Sequence, residues 1–83
     1  MEKFQESWNN YKKALYYDFQ GDWEKAHEIV QDLGDADAAW IHAYLHRKEG
    51  DPSNASYWYS RASKPFPNVS LEEEWKSLWD TFS

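Results

Sequence analysis

His42 and His46 stand four residues apart, and on a helix that spacing puts both imidazoles on one face, with Glu49 one turn further on. Two histidines at such positions can ligate one metal ion. The metalloprotease form of the pattern wants a glutamate directly after the first histidine, and here Ala43 follows. Spacing alone places no third ligand; His27 joins the pair only if its helix is brought alongside. The commoner use of two such rings is hydrogen bonding to a neighbouring helix, to Tyr57 or to a carboxylate. The sequence therefore assigns no metal. Asn54, Tyr57 and Arg61 form a second polar ridge and, with His42 and His46, outline a candidate polar pocket. Solvated helix ends with ion pairs, as in "HRKEGD" at 46–51, give the same pattern.

Other chemistry is harder to find. There is no Gly-rich phosphate loop, no nucleophile elbow and no cysteine. No motif calls for a cofactor, and nothing sets a histidine beside a nucleophile, so the chain does not read as an enzyme. Glu72, Glu73 and Glu74 fall in the first turn of a helix, where the macrodipole favours negative charge. The 9 Lys and Arg against 15 Asp and Glu leave a net charge of −6, which argues against nucleic-acid and anionic-membrane partners. No apolar run approaches the ~20 residues that span a bilayer, and no signal-peptide core follows Met1. A cytoplasmic location is the default expectation.

Whatever the polar residues do, helices must position them. At 83 residues the chain is a single domain near the lower limit for folding without staples. Six Trp, six Tyr and four Phe supply the burial that a short chain lacks. Phe4, Trp8, Tyr11, Leu15 and Phe19 recur at helical spacing and predict a first helix of about 18 residues, ending before Gly21. Asp22 caps a second with Trp23, Ala26, Val30 and Leu33 inward, and Gly34 stops it. Asp35 opens a third helix that is apolar almost all round except for His42, His46 and Glu49, which marks it as the spine of the packing. Asp51-Pro52 opens a fourth, with Ala55, Trp58, Tyr59 and Ala62 inward. "KPFPNV" breaks the pattern, and Ser70 with Glu73 caps a fifth carrying Leu71, Trp75, Leu78, Trp79 and Phe82 on one side. The fold class is all-α.

"GDWEKAHEIVQDL" and "GDPSNASYWYSRA" open alike, their Gly-Asp pairs at 21–22 and 50–51 standing 29 residues apart. Laying 14–33 over 43–62 also matches Ala14 with Ala43 and Ala26 with Ala55. Small residues there let paired helices approach closely, while Gly-Asp turns the chain and caps the second helix. The arrangement resembles a tetratricopeptide-like repeat. "NASYWYSRA" is similar to the second helix of the related Sel1-like repeats. Through "GDWEKAHEIVQDL", "AAWIHAYLHRKEGD" and "YWYSRA" the chain further looks like a short bacterial family of such proteins, which brings no activity with it.

The resemblance implies two antiparallel units, at about 8–34 and 37–63, with a C-terminal capping helix at 70–82 whose Trp75 and Trp79 cover the fourth helix. It implies an interaction module that binds a protein or peptide along the groove lined by the first helix of each unit. Carried onto this chain, that groove presents Tyr11, Trp40, Tyr44 and Arg47, and aromatics beside an arginine suit a binding surface. The same stripe in a small domain also reads as core packing. Two further readings stand beside it: a small-molecule or metal site around His42 and His46, and a homodimer covering an exposed apolar face.

Overall fold

Both Gly-Asp pairs end one helix and open the next through the same hydrogen bonds. In the computed structural model, which describes residues 3–83, the helices are α1 (Asn10–Phe19), α2 (Trp23–Gln31), α3 (Ala36–Glu49), α4 (Pro52–Arg61) and α5 (Leu71–Phe82). No strand occurs among the described residues. After α1, the Gly21 N–H donates to the Asp18 carbonyl and the Asp22 N–H to that of Tyr17, both at 2.9 Å. After α3, Gly50 donates to Arg47 at 3.2 Å and Asp51 to His46 at 3.0 Å. Gly21 and Gly50 sit at φ 88° and 90°, the left-handed region that a Cβ disfavours. Asp22 and Asp51 then accept the N–H of Lys25 and Asn54, three residues on, and cap the following helices. The repeat is a repeat of turn geometry.

A third such turn closes α4, where Ser63 donates to Ser60 at 3.0 Å and Lys64 to Tyr59 at 2.9 Å. Here a serine, at φ 56°, holds the place of the two glycines. Ser63→Gly is therefore expected to stabilise the fold by about 1 kcal/mol, read as a raised urea midpoint with an unchanged slope.

Within each pair the alanines meet. Ala14, Ala26, Ala43 and Ala55 are all fully buried; Ala14 packs in one core cluster with Ala26, and Ala43 in another with Ala55. α3 touches all four other helices and is buried from Ala38 to His46 except at the half-buried Trp40. It is the spine that its composition predicts.

Three local expectations are corrected. α1 starts at Asn10, because Asn9 turns extended and its Oδ1 accepts the Lys12 N–H at 2.8 Å. Phe4 and Trp8 thus precede the helix and fold back on Tyr16 as an aromatic cluster. α2 ends at Gln31, three residues before Gly34. α5 lies on α1 and α3 rather than on α4. Leu78 is sunk fully into the core, and the Trp75 indole donates to the Leu15 carbonyl at 3.1 Å. Those two anchors turn the last helix away from α4. No helix among the described residues is long and apolar enough to cross a membrane.

Candidate functional site

The groove between α1 and α3 is filled by α5. Tyr44 is 3% exposed, so it lies in the interior, reaching the surface only at the wall of the cleft described below. Tyr11 lies against Phe82, with ring centroids 4.9 Å apart, and donates its hydroxyl to Asp35. That hydrogen bond is the main reason the Tyr11 hydroxyl is pushed up to about 12. Trp40 and Arg47 turn toward α5. Arg47 donates to Glu74 at 2.8 Å and also to the Val69 carbonyl, while the Trp40 indole donates to Glu74 at 3.3 Å. The Tyr59 hydroxyl closes on the same carboxylate at 2.6 and 2.7 Å. Burial first, then Glu74, raises the pKa of Tyr59. Of the four residues expected to face a partner, Tyr11, Trp40 and Arg47 hold α5 or α3 in place, and Tyr44 is buried at the wall of a cleft.

Beside α5 the groove stays open as a cleft of about 670 Å³. Its walls are Phe19 at the end of α1, Tyr44 and Lys48 on α3, and Leu71, Trp75 and Trp79 on α5. Phe19 was expected in the buried stripe; as the last residue of α1 it is 57% exposed and lies against Trp75, ring centroids 5.2 Å apart. On the cleft floor Asp18 is buried and receives the Lys48 ammonium at 3.0 Å. Glu72, Asp80 and Lys76 stand on the α5 side. In the sequence Phe19 and Leu71 are visible only as helix-face residues, and Trp75 as a cover for the fourth helix.

The histidines converge on the other side of α3. His27 of α2 meets His42 with Nε2 to Nε2 at 3.0 Å, and one ring nitrogen each of His27, His42 and His46 lies within 4.8 Å of the others. Trp58 stacks on His42 at 3.9 Å between centroids, and Trp23 stacks on His27 at 4.9 Å. His46 Nδ1 stands 3.0 Å from a Glu49 oxygen, and its Nε2 is 3.5 Å from the Asn54 amide nitrogen. Burial, reinforced by His27 and His46, pushes His42 down to about 4; burial also lowers His27. Of the expected polar pocket, His42, His46 and Asn54 come together. Tyr57 and Arg61 stand outside it, Arg61 donating to the exposed Tyr57 hydroxyl at 3.1 Å and lying over Trp58. The partners expected for the imidazoles included Tyr57; they are His27, Glu49 and Asn54.

The chain matches no protein-family model, no curated protein and no solved structure, so any function has to be read from these two places on α3.

Proposed function

We propose that the protein is a small helical binding module that takes an apolar segment of a partner protein into the cleft between α1, α3 and α5. The observation that carries this is the cleft itself. A 670 Å³ recess walled by indole, phenyl and leucine side chains has the size and lining of a ligand site. An exposed aromatic at its lip is the type of residue that anchors protein contacts. The duplicated helix pair, which resembles a tetratricopeptide-like scaffold, fits an interaction role. Charge points to the kind of segment. The Asp18–Lys48 pair is internally balanced, leaving Glu72 and Asp80 against Lys76, on a protein of net charge −6. A segment with a bulky apolar residue flanked by a basic one is complementary.

Phe19→Ser tests the reading, because Phe19 can change without opening the core. Crosslinking capture with the wild-type chain is expected to recover a partner that the variant loses, while the unfolding free energies from urea agree to within about 0.5 kcal/mol. Equal capture by both chains removes the cleft from the contact. A mass that rises with concentration for the wild type alone, in light scattering, assigns Phe19 to self-association instead.

A further inference from the structure

We propose that His27, His42 and His46 are a binding site for a divalent late first-row transition ion, with Zn²⁺ as the type, joining the first helix pair to the second. The site lies apart from the cleft and shares no residue with it.

Geometry comes first. His27 comes from α2, and His42 and His46 come from successive turns of α3. A tetrahedral ion bound at about 2.0–2.1 Å needs its nitrogens roughly 3.3 Å apart. The observed spacing, 3.0 Å for one pair and within 4.8 Å for all three, is close to that value. Two Nε2 atoms facing each other must share one proton between two lone pairs. An ion in its place satisfies both nitrogens and gains the third.

The rings are also held ready. His42 lies between the Trp58 indole and the His46 ring, whose centroids are 3.9 and 4.8 Å from its own. His27 lies flat on Trp23, with an interplanar angle of 10°. Trp23 is itself fixed, its indole N–H donating to the Leu45 carbonyl at 2.8 Å. Ligands whose rotamers are locked by packing lose little freedom on binding. Glu49, at 3.0 Å from His46 Nδ1, supplies the carboxylate that commonly accompanies a ligating imidazole and places negative charge beside a cation.

Donor chemistry selects the ion. Three neutral nitrogens suit zinc, nickel, cobalt or copper, whereas Mg²⁺ and Ca²⁺ require oxygen. Three protein ligands also leave a coordination position for water or a further donor. Because the ion ties α2 to α3, its binding must stabilise the folded chain by an amount that grows with the logarithm of its concentration over Kd.

The test uses the untagged full-length protein, stripped with EDTA and dialysed, then titrated with ZnCl₂, NiCl₂ or MgCl₂ by calorimetry and followed by thermal unfolding. The expected result is one Zn²⁺ per chain with a raised Tm, a similar response to Ni²⁺ and none to Mg²⁺. His27→Ala, at a half-buried position, should weaken Zn²⁺ binding at least about 100-fold while the metal-free protein still unfolds cooperatively. Glu49→Gln should weaken it by roughly 10-fold. Absence of zinc heat and melt shift would overturn the proposal. So would stoichiometric binding undiminished in His27→Ala, or an equal response to Mg²⁺, which would assign the ion to surface carboxylates.

Discussion

Glu74→Ala is expected to lower the stability of the fold by about 3–5 kcal/mol, the range for removing one partner of a buried ion pair. Glu74 is 3% exposed, and its carboxylate serves three donors at once: the Arg47 guanidinium, the Tyr59 hydroxyl and the Trp40 indole. Arg47 is on α3, Tyr59 on α4 and Glu74 on α5. No backbone contact joins α4 to α5, so this side-chain junction is what couples the last helix to α4. Alanine leaves the Arg47 charge, with 17% of its side chain exposed, facing a void and strips the acceptor from a buried phenol. Against the 5–15 kcal/mol typical of a whole domain, such a loss is a large fraction. Glu74→Gln keeps an acceptor for Tyr59 but not the charge, and about half the loss is expected. Urea unfolding at neutral pH measures both, as a shifted midpoint at constant slope. A Glu74→Ala loss under about 1 kcal/mol would mean that Arg47 finds water readily, and that α5 is held by Leu78 and Trp75 alone.

Glu74 also shows how far the sequence could be read. It lies three residues after Leu71 and four before Leu78, inside the apolar stripe of α5, yet its neighbours Glu72 and Glu73 made it look like one more first-turn charge. Charge type was legible; direction was not, because direction depends on where α5 docks. That docking was missed for a related reason. Periodicity says which face of a helix is buried but not against what, so it does not distinguish α4 from α1 and α3, where the stripe of α5 packs. That one placement turns Tyr11, Trp40 and Arg47 toward α5 or α3 and leaves only Tyr44 on the open cleft. By contrast, the duplicated turns were legible, because the Gly-Asp bends and the Asp22 and Asp51 caps depend on residues a few positions apart. Helix ends with no copy to compare, the Asn9 cap of α1 and the stop of α2 at Gln31, were not. The histidine cluster lay between these cases. The pair at 42 and 46 was visible from spacing, whereas its meeting with His27 required α2 to pack beside α3.

Acid should destabilise the metal-free protein through that same cluster. His42 has a folded-state pKa near 4 against about 6.5 in an unfolded chain, since burial and two neighbouring imidazoles oppose its protonation. Below the unfolded value the unfolded chain binds a proton that the native chain refuses. Stability is therefore complete above about pH 6.5 and falls as the pH drops toward 4. For His42 alone the loss comes to about 2 kcal/mol between pH 7 and pH 5, and about 3 kcal/mol by pH 4. His27 is shifted in the same direction and adds to it, with Glu49 opposing the effect at that ring. The measurement is the urea midpoint in EDTA at pH 7, 6 and 5, for the wild type and for His42→Gln. The wild type should lose stability along this range. The variant starts lower, having lost the ring that stacks on Trp58, but its curve should be flatter by the His42 share. Parallel curves for the two proteins would mean that water reaches His42 and solvates its charge, and that the cluster is looser than its 3.0 Å contact implies.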